Sequence, residues 1–320
     1  MLVIRDGWHT SDLPSGGIGT IGNFDGVHRG HQAILSRVVT RARETGLPSL
    51  VTTFEPHPLA VLDPENAPPR LTTAGQRREL LEAAGIEALV ELAFTPEFAA
   101  TPARKFADFV WRRLGLAEIY VGSRFVFGRH REGDLELLRR TGREAGGEAH
   151  GVAEFYLGGE PVSSTRIRAA IGEGEVEDAR QMLGRPYTLC GTVARGDRMG
   201  QKIGWPTVNL QPENELIPAD GVYATHTVFP GLPGVFPSAT NIGNRPTVYE
   251  NHRRVVESHV LDFRSNVYDQ RVEIRFFKRL REERIFPTVM DLSAQIGLDV
   301  EAAREYFAQQ RRFEERAEAR

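Results

Sequence analysis

The chain has 320 residues, 40% of them hydrophobic, with a formal net charge of −3 and a single cysteine, Cys190. That length favours two domains over one, the charge gives no electrostatic case for nucleic-acid or membrane binding, and one cysteine excludes an internal disulfide and a cysteine-cluster metal site. Residues 1–14 are mixed and polar, with no apolar segment of signal-peptide length. No apolar run approaches the roughly 20 residues that span a bilayer, so the cytoplasm is the expected compartment.

Residues 17–22 read as a buried strand that feeds the run I-G-N-F-D-G-V-H-R-G-H-Q-A-I-L, residues 21–35. The chain turns through Gly22 and Gly26 and enters a helix near Arg29, with His28 and His31 at its tip. A helix start presents unpaired N–H groups and the positive end of the helix dipole, a ready phosphate site. Gly30, lacking a Cβ, lets backbone approach such a ligand. The pattern predicts the triphosphate cradle of a nucleotidylyltransferase. Ile34, Leu35, Val38 and Val39 give the helix an apolar face. It should stop at Gly46-Leu47-Pro48.

Residues 49–54 are a β-branched run, so the first fifty residues spell strand, helix, strand, the unit of a parallel sheet. The strand ends in F-E-P-H-P, residues 54–58, which is either a rigid proline turn or part of a site beyond the strand's carboxyl end. A helix capped by Thr72 or Thr73 follows to Gly85, with Leu80, Leu81 and Ala84 inward. Then come a strand at residues 88–92, a helix at 101–114 with Phe106, Phe109 and Val110 inward, and a strand at 119–121. The loop at residues 121–134 is rich in arginine and glycine, as a solvated loop also is. Ser163 or Ser164 caps a further helix. Thr165 and Arg168 there share a face and can meet a phosphate together with the helix N–H groups.

After Leu183-Gly184-Arg185-Pro186 the helical pattern gives way to short strands at residues 187–193, 221–229, 237–242, 255–263 and 271–277, the pattern of a small antiparallel barrel. Two helical pieces follow, residues 289–296 and 300–317. The run G-D-R-M-G-Q-K-I-G-W-P-T-V-N, residues 196–209, carries three glycines whose N–H groups can approach phosphates, although no Walker A signature follows. Thr207 and Asn209 alternate on a strand and offer hard oxygens suited to Mg²⁺. Glu257, His259 and Leu261 share one strand face. By residue type alone Glu257 is a surface acid.

The run F-D-G-V-H-R-G-H, followed by T-F-E-P-H-P and later S-S-T-R-I-R, resembles the bacterial bifunctional riboflavin kinase/FAD synthetases, whose first half belongs to the H-x-G-H nucleotidylyltransferases. The resemblance covers nearly the whole chain. It implies an α/β plus β protein: a Rossmann-like nucleotidylyltransferase domain over residues 1–184 and a C-terminal antiparallel β-barrel flavokinase domain over residues 185–320. The implied reactions are phosphorylation of riboflavin to FMN by ATP, then adenylylation of FMN to FAD with release of pyrophosphate.

Implied catalytic groups are Glu257 as base for the ribityl hydroxyl and His28, His31 and Arg168 for the adenylyl step. Gly22, Phe24, Asp25, Gly30, Ser164 and Thr165 would bind the first nucleotide. Gly196, Gly200, Gly204 and Pro206 would bind the second, with Mg²⁺ on Thr207 and Asn209. Asn241, Arg245 and Arg281 would face the flavin. The expected partners are small molecules, with neither nucleic acid nor membrane, on a monomer or weak homo-oligomer. Arg124 stands where the family usually carries Asp or Asn. A guanidinium only donates and adds charge, so the alternative is a riboflavin kinase whose N-terminal domain is inactive or altered in nucleotide or flavin preference. Two rivals from other classes are a hydrolase with His28, His31 and His57 on zinc, and a flavin-binding carrier.

Overall fold

The computed structural model describes residues 1–14, 16–196, 199–244 and 254–318. Its contacts divide the chain into two compact units, Met1–Ser164 and Thr165–Arg320.

The first unit is built on six parallel strands: β1 (Leu2–Arg5), β2 (Gly17–Ile21), β3 (Ser49–Glu55), β4 (Ala88–Ala93), β5 (Leu116–Gly122) and, after the ribbon β6 (Val126–Phe127) with β7 (Gly133–Asp134), β8 (Glu148–Val152). Their order is β1-β4-β3-β2-β5-β8. The chain steps outward from β2 through β3 to β4, then returns to the other side of β2 as β5. That reversal opens a crevice at the carboxyl ends, where ligands of such sheets bind. β2 is buried at every residue and β3 and β4 at five each, as expected for strands covered on both faces.

Helix α1 (Arg29–Thr45) buries Leu35, Val38, Val39 and Ala42 and ends at Gly46 with φ 70°, the left-handed stop that glycine permits. The short α2 (Pro58–Leu62) follows β3. α3 (Ala74–Ala83) opens with a reciprocal capping box between Thr73 and Gln76. After the single turn α4 (Pro96–Ala99), the helix expected at residues 101–114 is α5 (Ala103–Asp108) running into a π-helical turn, Phe109–Arg113. Phe109, Val110 and Trp111 are all buried. Three successive apolar residues exceed the stripe an α-helix turns to one side, and the wider turn accommodates them. α6 (Leu135–Ala145) then leads to β8.

The opening residues are more than a polar lead-in. β1 pairs with β4 as an edge strand, and Trp8 packs against Phe98 and Phe109 with ring centroids 5.0 and 4.7 Å away. The unit closes with the ribbon β9 (Tyr156–Leu157) and β10 (Glu160–Pro161).

The second unit begins at Thr165 within α7 (Ser164–Glu173) and continues with α8 (Val176–Leu183). Its core is a closed antiparallel barrel of β11 (Tyr187–Ala194), β12 (Val208–Pro212), β13 (Gly221–Val228), β14 (Phe236–Asn244), β15 (Arg254–Val260) and β16 (Arg271–Arg281), in the order β11-β12-β15-β14-β13-β16. The short α9 (Met199–Lys202) lies between β11 and β12. The two helical pieces expected after residue 288 are one helix, α10 (Val289–Glu318). Gly297 does not break it, and a methyl there would lie 3.4 Å from the Trp205 ring. α10 buries Val300, Ala303 and Phe307 against Ala224, Ala239 and Leu261 of the barrel unit.

Candidate functional site

Two sites emerge, one in each unit. The first is the tip of α1. His28 occupies the N-cap with ψ 173°, and its Nδ1 accepts the N–H of His31 at 3.3 Å. A neutral imidazole that accepts at Nδ1 carries its proton on Nε2. The remaining ring nitrogen is therefore a donor, suited to an anion. His31 stacks on His28 at 3.7 Å between centroids and 19° between planes. The first turn of α1 holds no acidic residue, so no carboxylate of that turn offsets the positive helix end.

Gly30 has a second reason to be glycine. A methyl there would lie 3.1 Å from both Cε1 and Nδ1 of His28. The close approach is to the histidine itself. The turn into the helix holds Phe24 at φ 50° and Val27 at φ 39°. The left-handed region is costly for a β-branched residue, about 1–3 kcal/mol, and such strain clusters at functional sites.

Gly22 follows β2 directly and lines the crevice, whereas Phe24 and Asp25 point into the protein. Phe24 is 1% exposed in the core beside Leu35 and Val38. Asp25 is 4% exposed. Its carboxylate accepts the N–H groups of Leu71 and Thr72 at 3.0 and 3.2 Å and the Thr72 hydroxyl at 3.3 Å. It thereby fastens the turn before α3 to the turn before α1. Ser164 reaches the same turn, its hydroxyl donating to the Asp25 carbonyl at 2.9 Å. Thr165 and Arg168 continue along α7, whose residues group with the second unit. Ser163 takes the N-cap position, since the helix starts at Ser164.

Beside Gly22 and Asn23 lies a cavity of about 760 Å³ walled by Phe54, Phe94, Phe98, Phe106 and Phe127. The loop at residues 124–131 closes one side. Arg129 and Arg131 at this edge bring positive charge to an aromatic slot. Arg124 lines the rim with its side chain 73% exposed and ion-paired to Glu154. His57 is tied to Asn23 of this cavity: its Nδ1 caps α2 by accepting the Leu59 N–H, and its Nε2 meets the Asn23 amide at 3.2 Å. With both nitrogens engaged, His57 is poorly placed to act as a metal ligand with His28 and His31.

The second site lies on the outer face of the barrel. Glu257 of β15 sits directly opposite Asn209 of β12 on one side and Asn241 of β14 on the other. Directly opposed residues project to the same face, so the three side chains form a polar row across three strands. Thr207 lies just before β12. Glu257, Asn241 and Thr207, together with Trp205, His259 and Phe286, line a cavity of about 320 Å³.

The glycine-rich segment comes tightly against this row. A methyl at Gly196 would stand 2.6 Å from Asn209 Oδ1, and one at Gly200 would stand 2.3 Å from the Trp205 carbonyl and 3.4 Å from Thr207 Oγ1. Gly204 has φ 89° and marks the turn before Pro206. The Pro206 carbonyl accepts from His259 Nδ1 at 2.8 Å, and Trp205 Nε1 donates to Ser293 of α10 at 3.0 Å. Arg281 lines the cavity as well, but its guanidinium is held bidentate by Asp299 at 2.9 and 2.8 Å. Arg245, like Asp197 and Arg198 of the glycine-rich run, lies outside the described residues.

The FAD synthetase family profile matches residues 11–166, and the riboflavin kinase profile matches residues 183–307. The bifunctional riboflavin kinase/FMN adenylyltransferase of Escherichia coli strain K12 is 37% identical over 96% of this chain and 98% of its own length. The chain belongs to that bifunctional family. The relative from Pseudomonas fluorescens is 39% identical over 90% of this chain and 92% of its own. A crystal structure of a protein described as the macrolide-efflux protein of Streptococcus pneumoniae superposes with a TM-score of 0.87 at 28% identity. It covers 95% of this chain and 99% of its own. Among the described residues of this family member, no helix is long and apolar enough to cross a membrane.

The residues missed in the sequence share one property: they look structural. Asn23 and Trp205 lie inside the two glycine motifs, yet neither residue type by itself signals a site. The phenylalanines of the first cavity come from separate segments and read singly as core.

Proposed function

We propose that this chain phosphorylates riboflavin to FMN with ATP in its C-terminal half and adenylylates FMN to FAD in its N-terminal half. The catalytic halves run over residues 1–184 and 185–320. Membership of the bifunctional family over nearly the full chain is the observation that carries this reading.

For the kinase step the nucleophile is a neutral alcohol, which needs a proton acceptor as it attacks phosphorus. Glu257 supplies the carboxylate, set between two carboxamides in the cross-strand row. Thr207 and Asn209 fit a Mg²⁺ ion: both carry hard oxygens, and the glycines facing them leave a cradle that side chains would fill. The ion would neutralise phosphate charge when bound. The N–H groups of the glycine-rich segment approach the nucleotide, and Asn241, with Arg281 braced by Asp299, faces the flavin.

For the adenylyl step the nucleophile is a phosphate, already anionic, and little base help is required. Donors that steady the α-phosphate and the departing pyrophosphate are required instead. The α1 tip, with His28 through Nε2–H, His31 and Ser164, takes that part. The aromatic cavity beside Gly22 suits the flavin ring. The exposed pairing of Arg124 with Glu154 favours an active N-terminal half over the alternative of an inactivated one.

The test incubates the full chain with riboflavin, ATP and Mg²⁺ and separates the flavins by chromatography. FMN appears first and FAD after it. FMN without FAD, also when FMN is supplied directly, would reduce the protein to a kinase.

A further inference from the structure

Inside the barrel, behind the polar row, five side-chain hydroxyls close a ring. Thr240 donates to Ser258 at 2.9 Å. Ser258 meets Thr227 at 3.1 Å, Thr227 meets Ser238 at 2.9 Å, Ser238 meets Thr225 at 2.9 Å, and Thr225 returns to Thr240 at 2.6 Å. All five residues are fully buried. Five protons serve the five edges, those of Thr225 and Ser238 being shared with backbone carbonyls, and in such a closed network the bonds polarise one another. Thr225 and Ser238 also contact each other's carbonyls, at 3.2 and 3.0 Å.

The ring draws together β13, β14 and β15. Thr240 is followed in sequence by Asn241, and Ser258 is preceded by Glu257. Side chains alternate across a strand, so the ring grips from inside the same stretch of backbone that carries the carboxylate and carboxamide outside. Oxygen atoms joined by hydrogen bonds lie at 2.6–3.1 Å here, whereas packed methyl carbons stand about 3.5–4.0 Å apart. A valine of matching shape in the ring therefore widens the barrel by several tenths of an ångström at this level.

We infer that the hydroxyl ring is a positioning device for the kinase reaction: it fixes the girth of the barrel so that Glu257 and Asn241 stand in register with Asn209. This rests on the reading of Glu257 as the base. The hydroxyls act through that carboxylate and touch no substrate.

The test uses the full chain and compares Thr240→Val, Thr240→Ser and Ser258→Ala. Thr240→Val keeps the volume and removes the hydroxyl. It should lower kcat for riboflavin phosphorylation about 10–100-fold, since a misplacement of 1 Å costs roughly 10², with KM for riboflavin changed less than about threefold. Adenylylation of supplied FMN should be unchanged, and Thr240→Ser should restore kcat. Ser258→Ala opens the ring without adding volume, so it carries the same expectation if Thr240→Val is insoluble. A lowered melting temperature with wild-type kcat in both hydroxyl-deleting variants overturns the proposal, because the ring then only stabilises the barrel. Absence of riboflavin phosphorylation in the unsubstituted chain would instead overturn the functional reading.

Discussion

Replacing Gly30 with alanine separates two reasons for that glycine. A methyl at residue 30 lies 3.1 Å from Cε1 and Nδ1 of His28, where ordinary contact needs about 3.5 Å or more. The imidazole must retreat a few tenths of an ångström, away from residue 30 and so from the neighbouring N–H of His31. The cap bond, already 3.3 Å, then passes the limit of a useful hydrogen bond. His28 has little room elsewhere, being 7% exposed and stacked on His31. Loss of a cap costs about 1 kcal/mol, while alanine for glycine in a helix returns about 0.8–1 kcal/mol. The two nearly cancel, so the melting temperature of Gly30→Ala should stay within a few degrees of the parent. Activity should not follow: one misaligned donor typically costs about 10²–10³ in rate. The assay follows pyrophosphate release from ATP and FMN alongside riboflavin phosphorylation in the same preparation. Adenylylation within threefold of the parent would refute the steric argument, as would equal loss of both activities.

Glu257→Gln removes the proton acceptor while keeping shape, so riboflavin phosphorylation should fall about 10²–10⁴-fold and FAD formation from supplied FMN should not change; chromatography of the two flavin products reads both. His226 stacks on Phe307 and meets Phe277 edge-on, and burial, with help from Arg275, Arg311 and Arg180, pushes its pKa from the usual 6.5 down to about 4. The unfolded chain therefore takes up this proton first, so the contribution of neutral His226 is complete above about pH 6.5 and is lost as pH falls towards 4. Melting curves across that window should decline less steeply for His226→Phe than for the parent. Arg124→Ala removes an exposed ion pair of the kind that contributes little, so melting temperature and the rate of FAD formation should both stay near parental values; loss of FAD formation would place Arg124 in the reaction.

The order of strands and helices was largely readable because buried parallel strands are short β-branched runs and α1 has a clear apolar stripe. What escaped had a physical reason in each case. β1 is an edge strand of four residues with exposed ends and no fully buried position, too brief for periodicity to register. Gly297 and the polar residues near it imitate a helix end, yet the helix continues because Trp205 and Arg281 hold that segment through Gly297 and Asp299. Asp25 sits inside the most distinctive motif of the chain and still spends its carboxylate on Leu71 and Thr72, since motif membership does not reveal which way a side chain turns. The hydroxyl ring was hidden for a subtler reason. Threonine and serine alternating along a strand signal a solvent face, and here that face is the barrel interior.

The two sites differ in the way their nucleophiles require. In the proposed kinase reaction a neutral ribityl hydroxyl must shed a proton, and the barrel offers the Glu257 carboxylate, placed by β-pairing in the cross-strand row Asn209–Glu257–Asn241. An FMN phosphate is already anionic at neutral pH and would be repelled by a carboxylate. The helix tip accordingly carries none in its first turn, and the one acid of its motif, Asp25, is turned inward and bound by backbone donors. A single surface could not serve both steps, because the group that activates the alcohol would disfavour the phosphate. Separate anion sites, one with a base and one without, follow from the charge of what attacks.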